Sequence, residues 1–417
     1  MLELTISNPL FDRFCQEMER LGPFETNPIL GVALSGGNDS LALTFLLQKW
    51  VKQKGGNLYA FHVNHNLRPE SSKEALQVKK WMEAQNIPCQ ILRWNHSSTL
   101  TTSLQEAARK ARYTLLEKAC YDHNILHLIT AHHAEDQQET YLIRKQSHST
   151  EYGLAGMSAV TYFTHCRLIR PLLSFTKIEL KGLVGSHPYL EDPSNQNPKF
   201  HRAKLRQQNH DKVDLSLYQQ NRRREEKNAA YFLAMNVQIA PQGYGQMPRE
   251  AIKETDSITF KRALSFLIRC IGNLEYLPSS SSIEKLYQKW HQEDFSPTSL
   301  GKCVVYGRQK KVWVVPDRRL LPKVKKLQPD EKLWGRFLIQ GHLPSHTHIE
   351  PLGPHGWAQI HTHIKTSLPY HVVITFPTYW QGQKVLFVPF LQASSSTLDY
   401  PSFLYQPKNS LLAEFFV

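Results

Sequence analysis

Ser35-Gly36-Gly37-Asn38-Asp39-Ser40 is the stretch whose reading decides the fold. Residues 29–34 before it are apolar, and Leu41, Leu43, Phe45, Leu46 and Trp50 recur after it. The pattern is strand, glycine-rich turn, helix. Two adjacent glycines let the backbone approach an anion closely. The helix beyond opens with free N–H groups and a favourable dipole, which suits phosphate. The turn lacks the Gly-Lys-Ser/Thr ending of the mononucleotide P-loop, so no lysine charge sits in it. Asp39 is a carboxylate at a phosphate site and points to a magnesium ion carried by a nucleotide. A tight turn with an Asp/Ser helix cap reads equally well from the hexapeptide alone.

The neighbouring segments break that tie. An apolar run at 58–63 ends in His62-Val63-Asn64-His65-Asn66-Leu67-Arg68. Another, at 125–130, ends in Ala131-His132-His133-Ala134-Glu135-Asp136-Gln137-Gln138-Glu139-Thr140. In an open parallel sheet the carboxyl ends of the strands share one edge, where ligands bind. A lone histidine after a strand is a capping or packing residue; three polar clusters after three strands are a site.

The ordered set resembles the N-type ATP pyrophosphatases, whose signature is Ser-Gly-Gly-x-Asp-Ser, and within them the tRNA(Ile)-lysidine synthetase family. Ser103 to Tyr113, Gly153 to Met157, Arg170 to Leu173 and Glu191-Asp192-Pro193-Ser194-Asn195 carry the likeness further, to about Arg206. The hexapeptide marks only the superfamily; the ordered set is specific to the narrower family.

The chain has 417 residues, 41% of them hydrophobic, which is enough for two or three domains with real cores. Fifty Lys and Arg against 36 Asp and Glu give +14, a balance that suits a polyanionic partner without identifying it. The six cysteines form no Cys-x-x-Cys pair, which argues against a zinc site or a disulfide framework. They read as reduced thiols. Acidic residues interrupt the N-terminus, so no leader is expected, and no apolar run is long enough for a membrane span. The expected location is cytoplasmic.

The alternation over 29–147 is βαβαβαβα, which predicts an α/β fold with a doubly wound parallel sheet. An amphipathic helix is expected at 8–21 and others at 39–52, 72–85 (capped by Ser71 or Ser72) and 103–122 (a Ser103/Glu106 capping box). A fifth strand is expected at 167–173. Residues 199–227 hold nine Lys/Arg against four Asp/Glu, including Arg222-Arg223-Arg224. This run reads either as a solvated helix face or as a tRNA contact. A helix over 257–271 should end at Gly272, with a linker at 279–282. The next helix should bury Ile283, Leu286, Tyr287 and Trp290. Residues 303–306 and 312–315 read as a hairpin with the basic tip Gly307-Arg308-Gln309-Lys310-Lys311. Strands are expected at 372–376 and 385–388. The expected domains are a catalytic domain at 1–215, a mainly helical tRNA-binding domain at 216–330 and a small β-rich domain at 331–417.

The resemblance implies a PP-loop, HUP-like catalytic fold and one reaction. ATP adenylates the wobble cytidine of tRNA(Ile) with a CAU anticodon, and free L-lysine displaces AMP to give lysidine. By the same resemblance Ser35, Gly36, Gly37, Asn38, Asp39 and Ser40 hold ATP. Asp39 attends Mg2+, Asp136 is a second acidic group near the metal or the lysine, and Glu139 meets the lysine ammonium. Arg109 and Arg112 offset charge on the α-phosphate, with one of the two expected on a salt-bridged surface. His132 and His133 face phosphate or base, with one of them structural. A homodimer is among the open oligomeric states. The chain departs from the family at Glu135, where Asp is usual, at Asn66, where Gly is usual, and at Arg202-Ala203, where Arg-Asn is usual. A thiolation enzyme of the same superfamily is the second reading, disfavoured by the absence of paired cysteines. A tRNA binder with a decayed site is the third, disfavoured by the intact hexapeptide, Asp136 and Glu139.

Overall fold

The computed structural model describes residues 8–96, 104–191, 213–322, 333–341, 347–391, 401–407, 411 and 414–415. It divides into two compact units, Met1–Arg223 with Ala413–Val417, and Arg224–Leu412. Ser103, Asp192 to Asn195, Arg202 and Ala203 lie outside the described residues.

The first unit begins with α1 (Asn8–Arg20), β1 (Ile29–Ala33), α2 (Asn38–Gln53), β2 (Asn57–Asn64), α3 (Ser71–Ala84) and β3 (Cys89–Arg93). It continues with α4 (Leu104–Asp122), β4 (His127–Ile129), α5 (Ala134–Gln146), α6 (Glu151–Leu154), β5 (Val160–Tyr162), β6 (Arg167–Ile169) and α7 (Lys177–Val184). Its seven-stranded sheet runs β18-β5-β6-β4-β1-β2-β3, where β18 is Glu414–Phe415. The five strands from β6 to β3 are parallel, as expected. β5 and β18 add an antiparallel edge that the alternation did not announce.

Alternate residues of each strand feed opposite faces. Leu30, Val32, Leu58, Ala60, Ile129 and Ile169 pack with α1, α2, α3 and α7. Ala33, Phe61, Leu92, Leu128 and Leu168 pack with Leu116, Ala119 and Cys120 of α4. Helices thus cover both faces of the sheet. Strand order reverses between β4 and β2 across β1, and that switch point opens a crevice at the carboxyl edge.

One helix start differs from the expectation. α3 begins at Ser71 after Glu70, with no side-chain cap; Ser72 instead accepts from Asn64 Nδ2 (3.3 Å). α7 is closed by a full capping box between Thr176 and Glu179, whose carboxylate also takes a two-pronged bond from Arg13 of α1 (2.9 and 3.2 Å). The Arg13 bond, reinforced by Thr176, holds Glu179 down at about 2 against burial. A depressed carboxylate stabilises the fold above its unfolded pKa and loses that contribution as pH falls through its folded pKa. The gap in Tm between wild type and Glu179→Gln should therefore be full above about pH 4.5 and close as pH approaches 2. A gap that persists unchanged at pH 2 would contradict this.

The second unit is built on a five-stranded antiparallel sheet, β7-β8-β11-β10-β9 (Gln238–Ile239, Gly245–Pro248, Lys311–Pro316, Cys303–Arg308, Thr298–Leu300). Helices Ser257–Gly272 and Ser280–His291 cover one face, burying Ile283, Leu286, Tyr287 and Trp290 as expected. The hairpin turns at Gln309 (φ 53°), as its basic tip implied. Gly272 is the last helical residue rather than the stop. A Cβ there would meet the Gly301 carbonyl at 2.0 Å, and Asn273 (φ 51°) caps instead. The serines at 279–282 are no linker: Ser279 is the N-cap and accepts from Ser282 N.

Two three-stranded sheets, β12-β13-β17 (Leu333–Trp334, Phe337–Gln340, Ser402–Tyr405) and β14-β15-β16 (His348–Pro351, Pro377–Gln381, Lys384–Phe387), complete the unit. The strand expected at 372–376 is instead a short helix, Tyr370–Val373, which buries Val372 and Val373. We keep a boundary near 330 as a proposed subdivision of this second unit.

Candidate active site

Glycine is required at position 36 twice over. Its φ is +86°, and a Cβ would meet Val78 Cγ2 at 2.6 Å. Its carbonyl accepts from Leu190 N (2.9 Å). Gly37 is different. A Cβ there meets nothing closer than 3.5 Å. Gly37 is the N-cap of α2 and makes no side-chain cap, so the first N–H groups of the helix face outward unsatisfied by the chain. Ser35 Oγ and Ser40 Oγ lie 3.0 Å apart; Ser35 Oγ accepts from Gly37 N, and Ser40 Oγ donates to Gly37 O. These bonds hold the turn open. Asn38 Oδ1 is buried there without a partner.

α5 starts at the next strand end and brings in the second half of the site. His133, 4% exposed, is its centre. Its Nε2 lies 3.6 Å from both Asp39 Oδ2 and Asp136 Oδ2, and its Nδ1 donates to Glu135 Oε2 (3.0 Å). At 3.6 Å the two Asp contacts are ionic rather than hydrogen-bonded. Burial depresses the His133 pKa, but Asp39, Asp136 and Glu135 outweigh it and the net shift is upward. Burial raises Asp39, and His133, Lys177 and Asn38 outweigh it, so Asp39 ends below its ordinary value. The His133 ring thus lies between two carboxylates, one from the β1 turn and one from α5.

A cleft of about 410 Å³ opens beside Ser35. Leu34, Phe61, Val63 and Leu190 give it apolar walls, and Asn64, Arg68, Glu74 and Arg112 give it polar ones. His62 Nδ1 donates to the Leu34 carbonyl (3.0 Å), and burial lowers its pKa, so it is the neutral tautomer with Nδ1 protonated. Asn66 has φ 52°, its N–H held by Asn64 Oδ1 (2.9 Å), so the departure from glycine preserves the turn.

The structure does not gather every expected residue. Arg112 is half-buried in the cleft wall; Arg109 is exposed, its guanidinium 5.1 Å from the Tyr113 ring, and does not line the cleft. His132 Nδ1 lies 3.0 Å from Thr130 Oγ1, while His133 is the member of the pair that meets Asp39. Glu139 is buried one turn beyond Asp136. Arg68 of the second polar cluster pairs with Glu74 at 3.2 Å, from the β2 turn to α3, and nothing in the sequence pattern singles out Glu74.

The Gly153 to Met157 segment forms a brace behind α5. Gln137 bonds both the N–H and the carbonyl of Met157 (2.6 and 3.1 Å), and Arg144 donates to the Gly153 and Gly156 carbonyls (2.6 and 2.7 Å). Arg222 joins this brace. It is 3% exposed, donates to Gly156 O and Ser158 Oγ, and stacks on Tyr152 at 4.3 Å. Of the contiguous arginines, only Arg223 and Arg224 are exposed. Arg222 is neither a solvated face nor a phosphate contact.

Glu135 spans two partners, His133 Nδ1 and the Lys177 N–H at the start of α7 (3.0 Å). Aspartate is one methylene short of that span. Glu135→Asp should keep the counter-charge and leave activity within about threefold, but lower Tm by a few degrees through the lost cap. Glu135→Gln should preserve Tm and lower activity about tenfold. Equal, mild effects on both readouts would contradict this division.

Among the described residues, no group of three or more His, Cys, Asp and Glu side chains is placed to hold a metal alone. The Asp39 and Asp136 carboxylates, hard oxygen donors beside the uncapped helix start, fit a magnesium ion that arrives with phosphate oxygens.

The profile of the PP-loop domain family matches residues 10–212. A tRNA(Ile)-lysidine synthase from Orientia tsutsugamushi is 29% identical over 95% of this chain and 97% of its own length. One from Ruegeria pomeroyi is 28% identical over 86% of this chain and 88% of its own. One from a Bradyrhizobium species is 40% identical over 46% of this chain and 54% of its own. A solved U34-tRNA thiolase from Methanococcus maripaludis aligns with 46% of this chain and 72% of its own at 18% identity, with a TM-score of 0.38. Family profile, strand order and phosphate turn agree: residues 10–212 form a PP-loop domain, in a chain that is similar over most of its length to tRNA(Ile)-lysidine synthases.

Proposed function

We propose that this chain ligates free L-lysine to carbon 2 of the wobble cytidine of tRNA(Ile) with a CAU anticodon, changing its codon from AUG to AUA. The observation that supports this most is the convergence of Asp39 and Asp136 on His133 beside an uncapped helix start. In the first step the cytidine carbonyl oxygen attacks the α-phosphorus of ATP and pyrophosphate leaves. In the second the lysine amine attacks carbon 2 and AMP leaves. A pyrimidine carbonyl is a poor electrophile, and adenylation gives it a good leaving group.

The chain's part is positioning and charge. The N–H groups at the start of α2 and the Ser35 to Ser40 turn hold the phosphates. Asp39 and Asp136 would hold Mg2+, which would offset phosphate charge when bound. Arg112 faces the same cleft and offsets the charge on the α-phosphate. The apolar cleft walls beside Ser35 take the nucleoside of ATP. Glu139, on the buried side of α5, meets the ammonium of lysine. No helix among the described residues is long and apolar enough to cross a membrane, and we place the enzyme in the cytoplasm.

Thiolation remains the second reading. All six cysteines are free and none lines the cleft, which favours ligation. The test is to follow AMP-capped tRNA and lysine transfer separately. Glu139→Ala should still form the adenylated tRNA and lose lysine transfer by on the order of 10²-fold, since a desolvated ammonium loses its counter-charge. Equal loss of both steps would remove Glu139 from the lysine site.

A further inference from the structure

The basic hairpin tip has no part in the chemistry above, yet it borders a second cavity. This cleft of about 490 Å³ lies within the second unit, among the loop Phe295 to Pro297, the hairpin residues Tyr306 to Arg308, and Pro369 to His371. Three rings run along it. Tyr306 and His371 are 5.1 Å apart, and His371 and Tyr370 are 5.8 Å apart. Tyr370 is 41% exposed, so its ring is open to a ligand. Tyr306 is 3% exposed, and its hydroxyl has no hydrogen-bond partner.

The charges around the cleft are unbalanced. Glu293 is paired with Lys253 (2.9 Å), and Asp294 accepts from Ser296 N and lies 3.6 Å from Lys289. Arg308 is exposed and makes no hydrogen bond or ion pair among the described residues. It alternates with Tyr306 on one face of β10. Arg249 stacks on Phe295 (4.1 Å) where Gly307 leaves room for its guanidinium, and its Nε has no partner. Aromatic faces beside unpaired guanidinium groups suit a flat heterocycle joined to a phosphate.

We propose that this cleft takes an unpaired nucleotide of the tRNA, its base against the Tyr370–His371–Tyr306 wall and its phosphate on Arg308. The proposal rests on the reading of the chain as a tRNA enzyme. It adds a contact remote in sequence from the adenylation chemistry, one that reads single-stranded rather than paired RNA.

The test uses the full chain with three labelled ligands: tRNA(Ile), a short single-stranded oligoribonucleotide, and a blunt RNA duplex of equal length. Tyr370→Ala and Arg308→Gln should each weaken the single strand roughly tenfold and tRNA(Ile) by a similar factor, leaving the duplex unchanged. Tyr370→Phe should bind as wild type because it keeps the ring. AMP formation on an isolated anticodon stem-loop should keep its parental rate in all three variants. Unchanged single-strand binding, or equal losses on strand and duplex, would overturn the proposal. So would displacement of the strand by AMP or by an acidic peptide in a Tyr370-dependent way. If wild type binds no tRNA at all, the catalytic reading falls with it; if wild type transfers lysine and the variants bind tRNA normally, the cleft assignment alone falls.

Discussion

Asp39→Asn is expected to lower AMP and pyrophosphate formation by on the order of 10²–10³-fold while tRNA binding stays near the wild-type value. The substitution is isosteric and leaves the phosphate turn intact, since Ser35, Gly37 and Ser40 hold that turn without Asp39. What it removes is one of the two carboxylates at 3.6 Å from His133 Nε2. The site then loses half of the negative charge that can hold a nucleotide-borne cation. The measurement is radiolabelled AMP release beside a tRNA binding isotherm on the same preparation. Full adenylation by Asp39→Asn would remove Asp39 from the metal site and leave the helix start as the only phosphate-holding device.

Arg222→Ala is expected to destabilise the first unit by roughly 2–4 kcal/mol, because the Gly156 carbonyl and Ser158 hydroxyl lose a charged donor inside the fold. The corresponding fall in Tm is on the order of 10 °C. Arg223→Gln and Arg224→Gln should leave Tm nearly unchanged, since both side chains are exposed. If they meet tRNA phosphates, each should flatten the salt dependence of tRNA binding by about one unit. Calorimetry of the three variants separates these roles within one contiguous run. A mild Arg222→Ala together with a severe Arg223→Gln would reverse the assignment.

The parts of this chain that sequence makes legible are those where one short segment carries its own physics. The Ser35 to Ser40 turn combines a residue that needs positive φ with an uncapped helix start, and both are local. The parallel strands β1, β2 and β4 are apolar runs with polar ends, which announces a buried strand and a ligand edge together. What was hidden depends on distance along the chain. β18 pairs with β5 across more than two hundred residues, and each is two or three residues long. His133 as the meeting point of Asp39 and Asp136 exists only once β1 and β4 lie side by side. Arg222 looked like its neighbours because a charge run carries no sign of which member turns inward.

Two misreadings share a different cause. Val372 to Phe376 is apolar but for Thr375, and a short apolar run does not distinguish a buried helix from a buried strand. Pro369 before it starts a helix there. The serines at 279–282 have linker composition, but the helix they begin is decided by one cap bond from Ser279.

The central claim is that one site joins ATP, lysine and a wobble cytidine. Its most direct test is incorporation of labelled lysine into tRNA(Ile), with the CAU anticodon and with its wobble cytidine replaced by uridine, in the presence of ATP. The account predicts stoichiometric lysine in the CAU tRNA and none in the uridine variant, because uridine offers an oxygen and an N–H where cytidine has an amino group and a ring acceptor. Lysine incorporation indifferent to the wobble base, or labelled sulfur entering the tRNA without any lysine requirement, would contradict it.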